Sequence, residues 1–169
     1  MRIAVLGNAG SGKSTLAAKL SVELELPLCE IDKLLWLEGW ELAPVSSFEA
    51  GHEAVLASEN WIIEGLGRQE SIPQRIDRAT HIILCDFPVW QNFWLLSERQ
   101  TQWYTGTIAL PPGGQSEAPP TRALFETVWT VENEWMPSIR EMIAEASASK
   151  FVQKIDSFEE LQKFVFAPQ

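Results

Sequence analysis

The feature that most constrains this chain is an eight-residue motif near its start, Gly-Asn-Ala-Gly-Ser-Gly-Lys-Ser at residues 7–14. It matches the pattern G-x-x-x-x-G-K-[S/T], and it lies between a branched apolar run at residues 2–6 and leucines at helical spacing in residues 14–25. Glycines let the backbone curl so that successive N–H groups point at anionic oxygens, and the positive end of the following helix strengthens this attraction. The motif therefore predicts a phosphate-binding loop rather than an ordinary glycine-rich turn.

Two side chains of this loop are expected to act directly on bound phosphates. Lys13 would reach the β- and γ-phosphates of a nucleoside triphosphate, and the hydroxyl group of Ser14 would take a place on Mg²⁺. The residues expected to contact the nucleotide belong to the loop and the first turn of the helix: Gly7, Asn8, Ala9, Gly10, Ser11, Gly12, Lys13, Ser14 and Thr15.

Strand and helix patterns alternate along the rest of the chain. Branched apolar runs predict four further strands, at residues 27–31, 60–64, 80–86 and 150–155. Helical patterns cover about 47–58, 88–103 and 121–147, the last with a break at Pro137, and a final helix follows Ser157. Ser46 and Ser157 each precede a glutamate by three residues, which predicts capping boxes. This alternation favours an α/β fold with three layers, a parallel sheet with helices on both faces.

One segment does not fit the alternation of strands and helices. Residues 105–120 contain four prolines and three glycines, which predicts an irregular loop. A loop of more than about 12 to 15 residues within a compact domain is usually functional or disordered. We therefore expect residues 1–169 to form a single domain that carries a lid at about 104–121.

The composition excludes several classes of protein. No apolar run is long enough to cross a membrane, and 13 basic against 23 acidic residues give a net charge of -10, which disfavours binding to a nucleic-acid backbone. Cys29 and Cys85 lie in apolar runs without metal-ligand spacing, so they are interpreted as buried thiols of a cytoplasmic protein.

Four motifs together resemble the adenylate-kinase-like P-loop family, most closely its bacterial topology-modulation (FlaR-like) branch. They are the phosphate loop, Asp32-x-x-x-Trp36-x-x-x-Trp40, Trp61-Ile-Ile-Glu64-Gly65 and Asp86-Phe-Pro88. The resemblance implies a five-stranded parallel sheet in the order 2-3-1-4-5, and ATP with Mg²⁺ as cofactors. It also implies transfer of the γ-phosphoryl group of ATP to a nucleoside, a nucleotide or another small-molecule acceptor. The branch name suggests DNA binding too, which the acidic charge disfavours.

The strand end before the last helix bears on the choice of nucleotide. Gln153-Lys-Ile-Asp156 is similar to the guanine-binding motif N-K-x-D, except that glutamine replaces the required asparagine or threonine. In the family, this strand-to-helix loop lines the adenine site. The resemblance therefore favours ATP over GTP.

Two predicted strands end in a carboxylate that can hold the metal through water, Glu64 and Asp86. The strand pattern alone favours Asp86. The strand order of the family, however, places the strand of Glu64 beside the strand of the phosphate loop. We therefore expect Ser14 and Glu64 to be the metal-binding residues, and Asp86 can instead cap the helix that follows it. Where the family commonly has Asp-Gly, this chain has Glu64-Gly65.

The acceptor site is predicted around Asp32, just past the second strand, where open parallel sheets bind ligands. In related kinases an acid at this position faces the acceptor hydroxyl or the metal, so Asp32 is expected to orient the acceptor or act as general base. The alternative is an N-cap of the helix starting near Lys33. Trp36 and Trp40 line the acceptor pocket or pack under the lid. Arg68 binds an anionic acceptor or is a solvated loop residue.

Arg99 lies near the end of the helix that leads to the long loop, as does the family arginine that stabilises the transferring phosphate. A pair with a nearby glutamate is the alternative. Residues 100–121 contain no lysine or arginine, whereas lids of the family supply arginines. This difference supports a second hypothesis, a nucleotide-binding regulator or slow ATPase without a specific acceptor. Four other residues carry no motif and are interpreted as surface or strand residues: Arg75, Arg78, His52 and His81.

Overall fold

A computed structural model describes residues 1–109 and 111–167. Its main sheet contains five parallel strands: β1 (Arg2–Gly7), β2 (Leu28–Glu30), β3 (Trp61–Glu64), β4 (His81–Cys85) and β5 (Phe151–Ile155). In space they follow the order 2-3-1-4-5. The predicted α/β fold, the parallel sheet and its strand order are therefore confirmed.

Eight α-helices are found in the described part of the chain. They are α1 (Lys13–Leu24), α2 (Asp32–Leu35), α3 (Val45–Leu56), α4 (Ile72–Arg78), α5 (Val89–Thr105), α6 (Thr121–Thr130), α7 (Met136–Ala146) and α8 (Phe158–Lys163). None of these helices is long and apolar enough to cross a membrane.

The central strand β1 separates two hydrophobic cores, because side chains alternate between the faces of a strand. Ile3 and Val5 pack against α1 and α8, whereas Ala4 and Leu6 pack against α3, α4 and α7. All four side chains are fully buried. Burial on both faces explains why the strands are continuous apolar runs, and it fixes β1 in the middle of the sheet.

The register of the strands brings several residues to one edge of the sheet. Glu64 at the end of β3 lies beside Val5 of β1 and Glu30 of β2, and Gly7 lies beside Cys85 of β4. The phosphate loop thus begins where the carboxyl ends of neighbouring strands meet, which is where open parallel sheets bind ligands.

Local sequence patterns predicted most of the helices, but α4 was not predicted and one predicted cap is wrong. The Ser157 hydroxyl accepts a hydrogen bond from the Glu160 N–H at 3.2 Å, which confirms that cap. The cap predicted at Ser46 is wrong, since α3 begins at Val45, directly after Pro44, and has no side-chain cap. The fixed backbone angle of proline starts this helix earlier than the pattern indicated.

The long helical pattern at 121–147 is interrupted near the predicted position. Val131–Trp135 forms a π-helical turn between α6 and α7, and Pro137 lies in the first turn of α7. Proline has no backbone N–H and clashes with the preceding turn, so the regular hydrogen-bond ladder cannot continue through it. The predicted break is confirmed.

Candidate active site

Glycines shape the loop between β1 and α1 so that neighbouring helices fit closely against it. A Cβ atom on Gly10, which has a φ of +77°, would lie 2.6 Å from the carbonyl oxygen of Asn92 in α5. A Cβ atom on Gly12 would lie 2.3 Å from the Leu161 side chain in α8. Within the described part of the chain, the backbone N–H groups of residues 10–15 have no protein acceptor. These donors are available to an anion at the start of α1.

Lys13 lies within this loop and is only 8% exposed. Its ammonium group donates a hydrogen bond to the carbonyl oxygen of Asn8 at 2.9 Å, and the Ser11 hydroxyl donates to the same oxygen at 2.8 Å. The charge is therefore held beside the free N–H groups, where both can act on the same phosphates.

Two buried asparagines connect the loop to the helices around it. The side-chain amide of Asn8 donates to the carbonyl oxygen of Val128 in α6, and that of Asn92 in α5 donates to the carbonyl oxygen of Ala9, both at 2.9 Å. Asn8 and Asn92 are at most 3% exposed. The phosphate loop is therefore tied to α5 and α6 as well as to β1 and α1.

Glu64 is the carboxylate nearest to the start of α1. The Ser14 hydroxyl donates a hydrogen bond to Glu64 Oε1 at 3.1 Å, and Glu64 is 5% exposed. Burial raises the pKa of Glu64 against the opposing effect of the Lys13 ammonium, and the nearby Asp32 charge raises it further. Ser14 and Glu64 together present oxygen atoms of the kind that Mg²⁺ prefers.

Asp32 and Arg99 extend this group of charges. Burial raises the pKa of Asp32, opposed first by Lys13 and then by Arg99. Burial also lowers the pKa of Arg99, opposed by Asp32 and Glu64. Asp32 is the first residue of α2 and Ile31 its N-cap, so the N-cap alternative for Asp32 is wrong. In the described residues Arg99 forms no ion pair within 4.0 Å, so the alternative of a pair with a nearby glutamate is wrong.

Asp86 is paired with two basic side chains outside this group of charges. Its carboxylate accepts from Arg140 at 2.7 Å and pairs with Lys154 at 3.1 Å, and Arg140 also binds Glu132. Burial raises the pKa of Asp86, but the hydrogen bonds from the two cations outweigh it and bring the pKa below its ordinary value. The N-cap of α5 is Pro88, so the capping alternative for Asp86 is also wrong.

The long segment, residues 106–120, packs on a hairpin formed by residues 36–42. The strands Trp36–Leu37 and Glu41–Leu42 pair antiparallel, and the indole rings of Trp36 and Trp40 meet edge to face at 5.8 Å. Gln115 of the long segment is 4% exposed, and its amide oxygen accepts from the N–H groups of Gly39 at 3.0 Å and Trp40 at 3.3 Å. Its amide nitrogen donates to the carbonyl oxygen of Leu37 at 2.9 Å.

Comparison with known proteins agrees with this arrangement at the level of the fold. No family model and no curated protein matches the sequence. Solved structures do match. Shikimate kinase from Acinetobacter baumannii in complex with shikimate aligns with a TM-score of 0.57 and 12% identity over 96% of this chain and 87% of that chain. The fold is that of the P-loop kinases.

Two other structures support the same fold. Shikimate kinase from Aquifex aeolicus has a TM-score of 0.50 and 21% identity, over 96% of this chain and 92% of the kinase. Deoxyadenosine kinase from M. mycoides with bound dATP has a TM-score of 0.50 and 12% identity, over 92% of this chain and 91% of that chain. The structural alignments show the P-loop kinase fold. The low sequence identities leave the substrate of this chain open.

Arg68 is held by backbone and ring contacts in this P-loop kinase fold. Its guanidinium donates to the carbonyl oxygen of Ala43 at 2.8 Å and lies 5.6 Å from the ring centre of Phe48. The side chain thus anchors the loop after β3 to the start of α3. It is neither a solvated loop residue nor directed into the charge group around Asp32.

Two residues interpreted as surface residues are buried, and that interpretation is wrong for both. Arg75 is fully buried and donates to the carbonyl oxygens of Gly65, at 2.5 Å, and Leu66. Burial lowers the pKa of Arg75 to about 10. His52 is 2% exposed and its ring stacks on Phe48 at 5.8 Å, so burial, with the Arg75 charge, lowers its pKa to about 4. The Arg75 side chain thus supports the loop that follows β3.

The predicted site residues therefore fall into three places. Lys13, Ser14, Asp32, Glu64 and Arg99 form one interacting group, here called the charge group. Trp36 and Trp40 lie in the hairpin under the long segment, and Arg68 lies apart. Sequence patterns missed the supporting amides, Asn92 and Gln115, because nothing in their local sequence distinguishes a buried amide from an exposed one.

Proposed function

We propose that the protein transfers the γ-phosphoryl group of ATP to a hydroxyl group of a small-molecule acceptor. The observation that carries the proposal is the charge group. In it the Ser14 hydroxyl contacts Glu64. The Lys13 charge opposes the raised pKa of both Glu64 and Asp32, and the Arg99 charge opposes that of Asp32. Phosphoryl transfer requires an anion-binding loop, a metal site and cations around the transferred group. The charge group and the loop contain each of these elements.

The loop and the two oxygen donors suit ATP with Mg²⁺. The free N–H groups of residues 10–15 and the Lys13 ammonium would hold the phosphates. Ser14 and Glu64 would hold Mg²⁺, which usually binds through one or two protein oxygens together with water and phosphate oxygens. When bound, the metal supplies positive charge that neutralises the phosphate oxygens during transfer.

Asp32 has the position and the environment of a general base. Its pKa is raised by burial, which makes its carboxylate a stronger base toward the proton of an acceptor hydroxyl. Arg99 would stabilise the negative charge of the transferring phosphoryl group, since its charge acts on the same acids. Trp36 and Trp40 would line the acceptor pocket, with residues of about 104–121 acting as a lid on the single domain of residues 1–169.

The base of the nucleotide is assigned to the end of β5. The Phe158 N–H donates to the Gln91 side chain at 2.9 Å, which joins the start of α8 to α5 beside the phosphate loop. The contact of Gly12 with Leu161 places α8 on the same loop. We therefore assign adenine to this junction, and ATP in preference to GTP. The closest evolutionary assignment we propose is the topology-modulation branch of the adenylate-kinase-like family.

The test is an assay of ADP and phosphorylated product with a panel of nucleosides, nucleotides and small alcohols. Wild-type protein should give an acceptor-dependent product, and Lys13→Ala should lower its rate by about a hundredfold or more because a cation on the phosphates is lost. Lys19→Ala is the matched control, since Lys19 is an exposed residue of the same helix paired with Glu23 at 3.6 Å. ATP binding without any acceptor-dependent product would contradict the proposal.

A second candidate function is a nucleotide-binding regulator or slow ATPase. It is favoured by the absence of lysine and arginine from residues 100–121. In this case ATP would bind and be hydrolysed at the same slow rate whether or not an acceptor is present. Phosphate transfer to an acceptor that is lost in Lys13→Ala would eliminate this function.

A further inference from the structure

The acceptor side of the site, meaning the region around Asp32, the hairpin and the long segment, contains few cations that a ligand could use. Lys33 donates to Glu30 at 2.7 Å. Arg68 is bound to Ala43, and Arg75 is bound to the loop after β3. Each of these three basic side chains already has a protein partner.

Lys13 and Arg99, the cations of the charge group, are the ones proposed to act on the phosphates of ATP. Lys13 lies inside the phosphate loop, and Arg99 acts on Asp32 and Glu64. Residues 100–121 add no lysine or arginine. A phosphate or carboxylate on the acceptor would therefore approach Asp32 and Glu64 with no further protein cation to balance its negative charge. Like charges brought together in this way oppose binding strongly.

Aromatic and backbone groups lie on the acceptor side. Trp36 and Trp40 are half-buried and in edge-to-face contact, and a Cβ atom on Gly113 would lie 3.5 Å from the carbonyl oxygen of Asp32. The long segment thus meets α2 through a residue that has no side chain. Indole faces, carbonyl oxygens and a carboxylate attract ammonium groups and neutral rings rather than anions.

We propose that the acceptor is a hydroxyl compound without a phosphate or carboxylate group, either neutral or carrying an amine. This inference rests on the proposed function. In the reaction the acceptor hydroxyl oxygen forms a bond to the γ-phosphorus, and the bond from that phosphorus to the bridging oxygen breaks. The electron pair of the broken bond leaves with ADP, and the hydroxyl proton passes to the Asp32 carboxylate.

The experiment compares acceptors in matched pairs that differ in charge: nucleosides with their 5′-monophosphates, ethanolamine with glycolate, and glucosamine with glucuronate. Binding is measured by calorimetry on protein saturated with Mg²⁺ and a non-hydrolysable ATP analogue, and ADP release is measured in parallel with ATP. We expect the neutral or cationic member of at least one pair to bind about tenfold or more tightly than its anionic partner.

Each outcome has a defined meaning. Tighter binding of neutral or cationic members supports the acceptor class, whether or not ADP is released. If these members bind but no ADP is released, the phosphotransfer proposal fails and the acceptor class stands. Tighter binding of anionic members overturns the acceptor class, and so does the absence of binding in both series.

Two variants show whether an arginine recognises the acceptor. For an acceptor without an anionic group, Arg99→Met lowers the transfer rate while the dissociation constant of the acceptor stays within about twofold. Arg68→Lys, which keeps the charge but cannot reproduce the planar contacts with Ala43 and Phe48, leaves that dissociation constant unchanged as well. A tenfold or larger weakening of acceptor binding in either variant, about 1.4 kcal/mol, would overturn the proposal.

Discussion

The phosphate loop and the long segment, residues 106–120, are both irregular and rich in glycine, yet they are held in different ways. The loop is fixed by the strand before it, the helix after it and close contacts at Gly10 and Gly12. The long segment is held on the hairpin chiefly through one amide, that of Gln115, and through the Trp40 indole, which donates to the Glu117 carbonyl oxygen at 2.9 Å. The loop is thus held by close packing of its backbone, and the long segment by a few hydrogen bonds from side chains.

The loop is the region in which a small change should have the largest effect. Gly10→Ala places a methyl group 2.6 Å from a backbone oxygen at a positive φ. We expect a loss of about 3 kcal/mol of stability, from the strained backbone and the steric overlap together, and loss of ATP binding. Chemical unfolding and calorimetric titration with ATP measure the two effects.

Gly106→Ala is the matched control for Gly10→Ala. Gly106 also has a positive φ, +69°, but a Cβ atom there would meet no atom within 4 Å. Gly106→Ala should lower the free energy of unfolding by about 1 kcal/mol, from backbone strain alone, and leave ATP binding intact. Equal losses in the two variants would mean that contact between the loop and α5 does not matter.

The long segment should respond to a change at its one buried amide. Gln115→Ala leaves three backbone groups of the hairpin without their partner, at an expected cost of about 2 kcal/mol. Acceptor binding should weaken while ATP affinity stays the same, because the loop has its own supports. Gln102→Ala, an exposed residue in α5, is the control. Weakened ATP binding in Gln115→Ala alone would show that the two regions are coupled rather than separate.

The difference between the two regions also explains what could be predicted from the sequence. The loop and the strands follow from local patterns: apolar runs, glycines at fixed spacing, and a lysine and serine at the start of a helix. The order of the strands follows instead from the resemblance to the adenylate-kinase-like family. The position of Gln115 depends on residues more than 70 positions away, and composition does not distinguish it from its neighbours.

Arg75 shows the same limit within a regular helix. Its spacing in α4 is compatible with the surface, and only the folded chain brings the carbonyl oxygens of Gly65 and Leu66 to its guanidinium. The hairpin at residues 36–42 was likewise not predicted, because its strands contain two residues each. Long-range contacts, rather than weak local propensities, account for these omissions.

A smaller effect should appear in the pH dependence of stability. The pKa of Glu64 is raised in the folded protein, so its contribution to stability is fully present below the ordinary pKa of 4.5 and is lost as the pH rises through the folded pKa. Glu64→Gln should therefore lose less stability than wild type over that rise. Urea unfolding at a series of pH values above 4.5, without nucleotide, measures it.

Asp86 should behave in the opposite direction. Its pKa is lowered by Arg140 and Lys154 despite burial, so it contributes stability above its ordinary pKa of 3.8 and loses it as the pH falls. Parallel curves for wild type and Glu64→Gln would contradict the raised pKa of Glu64. Glu59→Gln, an exposed substitution, controls for the change in net charge.

The most direct test of the charge group compares Glu64→Gln with Asp86→Asn in Mg²⁺-dependent phosphate transfer from ATP. Because Ser14 contacts Glu64 while Asp86 is paired with two cations, Glu64→Gln should reduce the rate by about a hundredfold and Asp86→Asn by much less. Thermal unfolding checks that both variants are folded. Full activity in Glu64→Gln together with loss of Mg²⁺-dependent transfer in folded Asp86→Asn would contradict this assignment of the metal site.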